Sequence, residues 1–238
     1  MNKVKEPRLV KSENDIISMI NTIQSFHYDE LDSTQDEAKR LIQSGKIKDI
    51  AYVVSSSQTN GRGTRGRKWS SPAGSGIYLS VIHLPKKDEC FETTTLYTQA
   101  CGIACVEAIK EVTNIETKLK PVNDIYFNDK KLGGILVESR LEKKGISYLI
   151  SGVGININKT NHKLDRDVIE PISLEEIMNE HDFKCFLKEK LIEKIIEKIY
   201  FWYEVIFKGK KDSIQKEWKK NLKVYSLAPN LPPAPPYS

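Results

Sequence analysis

One short segment combines glycine and arginine at a density that favours anion binding. This segment, hereafter the arginine loop, is Gly61-Arg62-Gly63-Thr64-Arg65-Gly66-Arg67, and Trp69 follows it closely. Glycines let backbone N–H groups approach a ligand, and arginines supply fixed positive charge with forked donors. The segment therefore predicts a site for an anionic group such as a phosphate. The alternative is a surface turn whose arginines are solvated.

The glycine spacing of the arginine loop also matches the dinucleotide-binding pattern G-x-G-x-x-G. That pattern binds a pyrophosphate only where it follows a strand and opens a helix. Residues 51–57 predict a strand, but residues 69–76 are turn formers and residues 77–82 predict a second strand. Because the helix and the acidic ribose partner are both missing from the pattern, a dinucleotide site is disfavoured.

A second segment places a lysine at the mouth of a strongly apolar strand. Lys131 precedes Gly133 and Gly134, so its ammonium could reach a phosphate while bare backbone passes close to a ligand. The alternative is a solvated turn lysine. Asn123 and Asp124, just upstream, could hold a turn, accept from an amine or bind magnesium, and their spacing does not choose among these roles.

A third segment alternates glycines with apolar residues at the end of a predicted strand. Gly152 and Gly154 would weaken the strand unless a ligand or another backbone comes close. Asn156 should point to the same face as both glycines, since side chains on one face recur every second residue.

Hydrophobic periodicity predicts helices and strands that do not alternate strictly, which favours an α+β fold over a doubly wound sheet. Helices are predicted over residues 12–24, from an N-cap at Ser33 to Gly45, over 92–112, from a capping box at Ser173, and over 183–207. Strands are predicted at residues 26–31, 51–57, 77–82, 116–120, 125–127, 131–139 and 146–156, the last four as an antiparallel meander.

Composition places few limits on function. A net charge of +5 permits nucleic-acid binding without requiring it. The four cysteines show no CxxC or zinc spacing, which predicts free thiols in a reducing compartment. The sequence has no signal-peptide pattern and no apolar run near 18 residues, so we expect a soluble cytoplasmic protein. Residues 226–238 are proline-rich and are expected to be extended and disordered, with partner docking as the alternative.

Four motifs in this order resemble those of biotin protein ligases, over roughly residues 26–222. They are L-D-S-T-Q at 31–35, Q-T-N-G-R-G-T-R-G-R-K-W-S-S-P at 58–72, N-D-I-Y at 123–126 with K-L-G-G-I-L-V-E at 131–138, and G-V-G-I-N-I-N at 152–158. The resemblance implies an α+β fold, in which a mixed, largely antiparallel sheet is flanked by helices, related to class II aminoacyl-tRNA synthetases.

The resemblance also implies a two-step reaction. Biotin attacks the α-phosphorus of ATP, with Mg²⁺, to give biotinyl-5′-AMP and pyrophosphate. A lysine of a biotin carboxyl carrier domain, part of a biotin-dependent carboxylase, then takes the biotinyl group. Such chemistry needs positive charge and donors around a phosphate more than it needs a nucleophilic side chain.

Roles for individual residues follow from the same resemblance. Lys131 would lie between the biotin carboxylate and the α-phosphate. Asp124 would orient magnesium, adenosine or the incoming amine, and Trp69 would pack on the closed loop or the adenine. The implied catalytic residues are Lys131, Arg62, Arg67 and Asp124. Ser33, Thr34 and Gln35 match the segment that meets the ureido group of biotin. The other implied binding residues are Gln58, Gly61, Arg62, Gly63, Thr64, Arg65, Trp69, Asn123, Lys131, Gly134 and Asn156.

The chain departs from the family pattern at several points. Gln35 replaces an asparagine often found there, and Pro121-Val122 replaces a Trp-Pro pair. Thr64 stands where many members carry another loop arginine, so either Arg65 substitutes for it or the adenylate leaks. The usual C-terminal β-barrel domain is replaced by the proline-rich tail.

The predicted organisation is a helical extension at residues 1–25, a catalytic domain at 26–225 and a tail at 226–238. The single helix ahead of residue 26 is too little for a helix-turn-helix reader, so DNA binding is not expected. A monomer and a homodimer both remain open. The alternatives are a lipoate or octanoate ligase of the same superfamily, a biotin-binding relative with impaired turnover, and a non-enzymatic basic module that binds nucleic acid.

Overall fold

The computed structural model describes residues 23–47, 49–85, 93–142, 145–160 and 170–223. The predicted proline-rich tail lies outside these ranges, as does nearly all of the predicted N-terminal helix. Of that helix only residues 23 and 24 are described, and Gln24 already belongs to the first strand.

A seven-stranded mixed sheet forms the centre of the molecule, in the order β1-β2-β3-β7-β6-β5-β4. β1 and β2 are parallel, and the other neighbouring strands are antiparallel, which confirms the predicted fold class and the meander of the last four strands. The strands are β1 (Gln24–Leu31), β2 (Ile50–Gln58), β3 (Gly76–His83), β4 (Lys118–Lys120), β5 (Asp124–Phe127), β6 (Lys130–Glu142) and β7 (Gly145–Asn156).

The parallel pair brings two distant motifs together. A parallel connection needs a crossover, and here the first helix, α1 (Thr34–Gln43), supplies it. The carboxyl ends of β1 and β2 therefore lie side by side, with Leu31 paired to Gln58. The start of α1 and the start of the arginine loop thus leave the sheet at the same edge.

The helices cover the two faces of the sheet unequally. α1 packs on one face over Ala51, Val53 and Ile82. The larger core lies on the other face, where α2 packs on β6, β5 and β4, α5 packs on β3, and both α5 and α6 pack on α2. The remaining helices are α2 (Thr94–Thr113), α3 (Leu174–Ile177), α4 (Glu180–Lys184), α5 (Lys188–Phe207) and α6 (Lys211–Asn221).

The long helix predicted at about residues 183–207 is confirmed from Lys188 to Phe207, but its predicted first residues belong partly to a separate short helix. Residue 185 ends α4, and α5 begins after Leu187, whose backbone is extended. Asn179 caps α4 by accepting from the backbone N–H of Asp182 at 2.9 Å. Phe183 and Phe186 stack with their ring centroids 6.1 Å apart, so both aromatic rings reach the core from a bent chain.

Other local expectations agree with the structure. Gly45 follows α1 with a φ of +69°, and Ser173 forms the predicted capping box with Glu176. Cys101 and Cys105 are buried free thiols in α2, and Cys185 is an exposed one. Within the described part of the chain, no helix combines the length and apolar character needed to cross a membrane.

Candidate active site

A pocket of about 990 Å³ opens on the same face of the sheet as α1. It lies between the start of α1, the arginine loop and the strands β3, β7 and β6. Its lining consists of Ser33, Thr34, Gln35, Gln58, Arg62, Gly63, Thr64, Arg67, Lys68, Trp69, Ser70, Pro72, Tyr78, Leu79, Asn123, Lys131, Gly134, Ile135, Leu136, Gly152, Val153, Gly154, Asn156, Thr160 and Pro171.

Glycines on neighbouring strands leave the floor of this pocket without side chains. Gly154 of β7 pairs with Gly134 of β6 on one side and with Tyr78 of β3 on the other. The indole of Trp69 lies over the gap. A Cβ on Gly154 would come within 2.5 Å of this ring, and one on Gly134 within 3.1 Å. The glycines predicted to admit a close neighbour therefore admit Trp69.

The start of α1 presents hydroxyl groups to the pocket. Thr34 accepts from Ser80 Oγ at 2.9 Å, and its backbone N–H donates to the side-chain oxygen of Gln58 at 2.8 Å. Gln58 in turn donates to Ser71 Oγ at 2.8 Å, which ties the helix to the loop. Ser33 occupies the N-cap position of α1, but its buried hydroxyl makes no capping bond and has no hydrogen-bond partner among the described residues.

Lys131 forms the charged part of the pocket. Its Nζ lies 2.7 Å from Asp124 Oδ1 and 5.4 Å from the centroid of the Trp69 ring. The Lys131 backbone is held on both sides, because its N–H donates to Glu170 O and its carbonyl accepts from Ile172 N, each at 2.9 Å. The prediction that this ammonium faces a binding site rather than solvent is supported by its 21% side-chain exposure.

Asn156 stabilises the backbone around Lys131. Its side-chain amide donates to the carbonyl of Ile172 at 3.1 Å and to that of Lys131 at 3.3 Å. Asn156 lines the pocket on the face that also carries the β7 glycines, as the strand period predicts. Its amide therefore helps to fix the main chain that carries the lysine.

The arginine loop forms a small hairpin over the pocket. Arg62 and Lys68 form an antiparallel bridge, and residues 64–66 make one 3-10 turn at the tip. Arg65 adopts a left-handed conformation there, with a φ of 56°. Arg67 bonds within the tip, where its guanidinium donates to Thr64 Oγ1 at 3.1 Å. No helix follows the loop before β3, so the structure lacks the element that a dinucleotide fingerprint requires.

Arg62 points inward to carboxylates. Its guanidinium donates to Asp36 Oδ1 at 2.8 Å and to Glu138 Oε1 at 2.8 Å. Burial disfavours the charged form of Arg62, but the attraction of Glu138 and Asp36 outweighs this effect and raises the pKa of the guanidinium.

Most of the predicted site residues meet at this pocket. Gly61, Arg65 and Asp124 are the exceptions, since they do not line it directly. Gly61, the first residue of the arginine loop, is buried, and a Cβ on it would collide with Trp69 O. The sequence assigned no role to Glu138, although it follows Gly134 and Leu136 on the pocket face of β6. That spacing of two was the signal that could have identified it.

The described residues contain no group of three or more His, Cys, Asp or Glu side chains placed to hold a metal ion. Asp124, the carboxylate predicted as a possible magnesium ligand, is paired with Lys131. The donor set around Lys131 therefore does not fit a metal cage built by protein side chains alone.

Comparison with known proteins agrees with this geometry. Residues 28–156 match the profile of the Biotin/lipoate A/B protein ligase family, which covers more than half of the chain. The chain belongs to this family. It is similar to the bifunctional ligase/repressor BirA of Bacillus subtilis, with 37% identity over 134 residues that cover 56% of this chain and 40% of the relative. The matched region is thus less than half the length of that relative.

Solved structures of ligases share the fold. The biotin protein ligase from Aquifex aeolicus in complex with biotin and ATP superposes with a TM-score of 0.67 at 28% identity, over 84% of this chain and 78% of that one. The Leishmania major enzyme in complex with biotinyl-5-AMP gives a TM-score of 0.66 at 26% identity, over 88% and 87%.

Proposed function

We propose that this protein is an ATP-dependent ligase that activates biotin as biotinyl-5′-AMP and transfers it to a lysine of a biotin carboxyl carrier domain. The proposal is supported by the family match and by relatives whose structures hold biotin with ATP or biotinyl-5-AMP. The observation that carries it is Lys131, which lines a large pocket beside the ring of Trp69 and is paired from behind the lining with Asp124.

The polar groups of the pocket suit a ligand with a cyclic urea at one end and a carboxylate at the other. The buried hydroxyl of Ser33 and the buried indole N–H of Trp69 have no partners among the described residues. Buried polar groups are normally satisfied, so both are candidates to bond a ligand. The family resemblance implies that Ser33, Thr34 and Gln35 meet the urea. We assign the urea to Ser33 and Thr34, because the amide of Gln35 is already bonded to Leu136 O and Ser80 Oγ.

In the first step, a carboxylate oxygen of biotin attacks the α-phosphorus of ATP, and the bond from that phosphorus to the pyrophosphate oxygen breaks. Lys131 would stabilise the negative charge shared by the carboxylate and the α-phosphate in the transition state. Arg67 and Lys68 line the same pocket on the loop and would bind phosphate oxygens.

In the second step, the neutral amine of the carrier lysine attacks the acyl carbon, and AMP leaves with the oxygen that had linked it. The amine gives up one proton to solvent as the amide forms. Asp124 is the carboxylate paired with Lys131, and we propose that it orients this amine. Mg²⁺ would accompany the phosphates of ATP, because the described side chains provide no metal cage.

The partners we propose are biotin, ATP and the carrier domain of a biotin-dependent carboxylase. We propose no role in DNA binding and propose the cytoplasm as the compartment. Free thiols at Cys101, Cys105 and Cys185 support a reducing environment.

The direct test incubates the purified protein with MgATP, labelled biotin and a carrier domain, with lipoate and octanoate in parallel. We expect labelled adenylate and labelled carrier with biotin alone. Transfer of lipoate or octanoate instead would favour the rival ligase. Biotin binding without any adenylate would leave a binding protein, and nucleic-acid binding without either would favour the basic module.

Lys131→Ala should lower the rate of adenylate formation on the order of 100-fold or more, as expected for loss of a charge that stabilises a transition state. The rate of biotin-dependent pyrophosphate release measures this step. Lys130→Ala is the matched control, since Lys130 is the neighbouring lysine and pairs with Glu170 at the surface. A near-normal rate for Lys131→Ala would show that the lysine has no catalytic role.

A further inference from the structure

Arg62 is fixed from two sides before any ligand is present. Its Nη1 donates to Asp36 of α1 at 2.8 Å and to Glu138 Oε2 at 3.1 Å, and its Nη2 donates to Glu138 Oε1 at 2.8 Å. The two Nη atoms of Arg62 thus donate to both oxygens of Glu138, and this bidentate geometry is the strongest one for an arginine–carboxylate pair. The base of the arginine loop is tied to a helix and to the sheet together.

Glu138 is itself held rigidly. Lys39 donates to Oε1 and Gln35 to Oε2, each at 3.1 Å. Gln35 also donates to Leu136 O at 3.0 Å and accepts from Ser80 Oγ at 3.1 Å. The amide of Gln35 is therefore engaged within the protein, and one of its bonds fixes the carboxylate that holds the loop.

Arg62 belongs to a cluster of four charged side chains that has no net charge. Arg62 and Lys39 are positive, and Asp36 and Glu138 are negative, and the four side chains contact one another within 3.7 Å. A guanidinium whose charge is neutralised in this way adds little positive electrostatic potential at a phosphate elsewhere in the pocket. The expectation that Arg62 acts as a phosphate ligand must therefore compete with an internal role that already uses its donors.

Backbone hydrogen bonds connect Arg62 and its neighbours to the rest of the arginine loop. Arg62 bridges to Lys68, Gly63 N–H donates to Arg67 O at 2.8 Å, and Trp69 N–H donates to Gly61 O at 2.9 Å. Holding Arg62 thus also places Trp69 on the glycine floor.

We propose that Glu138 is a positioning residue, which holds Arg62 so that the base of the arginine loop is set over the pocket before the substrates bind. Only the tip of the loop then has to order around the ligand, which reduces the entropic cost of closure. The inference rests on the proposed ligase function for its kinetic consequences, but the order of the loop itself is independent of that function.

Glu138→Gln tests the proposal, because it keeps the size of the side chain and removes the charge that Arg62 and Lys39 share. We expect a KM for biotin that is about tenfold higher and a faster release of biotinyl-5′-AMP by a similar factor, the scale of one lost charge-assisted bond. The kcat of adenylate formation at saturating biotin should change less than about threefold. Glu37→Gln is the matched control, since Glu37 is also an ion-paired carboxylate, bonded to Arg40 and Tyr28, and does not line the pocket.

Limited trypsin digestion without ligand gives a second readout. The bond after Arg65 lies in the exposed tip, and in Glu138→Gln it should be cut several-fold faster than in the wild type or in Glu37→Gln. Thermal unfolding of each variant checks that the fold is intact. Unchanged cleavage together with an unchanged KM would overturn the proposal. If the wild type forms no adenylate, the ligase function fails, while the digestion still decides whether Glu138 positions the loop.

A double-mutant cycle separates positioning from direct phosphate binding. If Glu138 acts only through Arg62, then Arg62→Gln and the double variant should show the same rise in KM as Glu138→Gln alone. A fall in saturating kcat for Arg62→Gln that adds to the effect of Glu138→Gln would instead place Arg62 at the phosphates, and it would contradict the proposal.

Discussion

At the scale of single residues, Trp69 determines much of the site. It lies on the floor formed by Gly134 and Gly154 and beneath the ammonium of Lys131, so one indole contacts the sheet, the arginine loop and the lysine that we propose as catalytic. A change in any of these neighbours should be transmitted to the others through the ring.

Gly154→Ala should therefore impair activity without unfolding the protein. The added methyl group would stand 2.5 Å from the indole, too close for any contact, so the ring and the loop must move. We expect adenylate formation to fall on the order of 100-fold, as small misplacements of catalytic groups can cost. Steady-state pyrophosphate release measures the effect. The double variant with Trp69→Phe should recover part of the lost activity, and a wild-type rate in Gly154→Ala would show that the contact is irrelevant.

Most of the pocket lining could be predicted from the sequence, because the motifs place glycines, a lysine and hydroxyl groups where a ligand needs them. The partners of Arg62 could not be predicted. Asp36 lies 26 residues before it and Glu138 lies 76 residues after it, so their meeting depends on how α1 and β6 pack. The local sequence therefore does not show whether an arginine of this loop binds a phosphate or is paired with carboxylates of the protein.

At the scale of secondary-structure elements, the boundary between α4 and α5 shows the limit of periodicity. Apolar residues continue through Phe183, Phe186 and Leu187 as they would in one helix. The break arises because Asn179 starts a separate turn and because two stacked phenylalanines fill the core from it. The Asn179 cap is a local signal and the stacking of the two rings is a packing contact, and the spacing of apolar residues encodes neither of them.

The packing of α2 against α5 buries a carboxylate, which gives a testable pH dependence. Glu107 accepts from the indole N–H of Trp202 at 2.9 Å, and burial raises the pKa of Glu107 above its usual value of 4.5. The folded state therefore holds this proton more tightly than the unfolded state. Stability contributed by the protonated form is present below the unfolded pKa and is lost as the pH rises through the folded pKa.

Glu107→Gln should consequently be more stable relative to the wild type at pH 7 than at pH 4, as urea denaturation at several pH values would measure. Glu111→Gln is the control of opposite sign. Lys194 and Lys198 hold the pKa of Glu111 below its usual value, so the wild-type carboxylate stabilises the fold at neutral pH. Parallel pH profiles for both variants would contradict the assignment.

At the scale of the whole molecule, the last described residues close one edge of the sheet. Leu222 forms a parallel bridge to Leu119, and Lys223 N–H donates to Leu119 O at 2.8 Å. Helix α6 reaches this point with Trp218 buried against α2, where a Cβ on Gly102 would lie 3.0 Å from the indole. The packed fold therefore includes α6.

Truncation after Lys223 should leave adenylate formation within about twofold of the full chain, because the described residues already pair Leu222 and Lys223 with Leu119 and bury Trp218. Truncation after Gly209 should unfold the protein or strongly destabilise it, because it removes Trp218. Circular dichroism and the pyrophosphate assay distinguish the two. A large loss of activity on removal of residues 224–238 would give the proline-rich tail a functional role.

The family resemblance implied the mixed character of the sheet, but the strand order could not be predicted. The meander of β4 to β7 follows from short turns between apolar runs. The parallel pairing of β1 with β2, and the insertion of β7 between β3 and β6, join residues far apart in the chain. Such pairings are chosen by the burial of whole faces, which no local pattern specifies.

The bare glycine floor has a thermodynamic consequence for the empty protein. Where Gly134 and Gly154 pair, the strands carry no side chains of their own to shield their hydrogen bonds, and the indole of Trp69 provides that shield. Lifting the loop would thus hydrate the middle of the sheet as well as open the pocket. Amide hydrogens at this point should therefore exchange with deuterium faster in variants whose loop is lifted more often, so that exchange in the sheet reports the position of the loop.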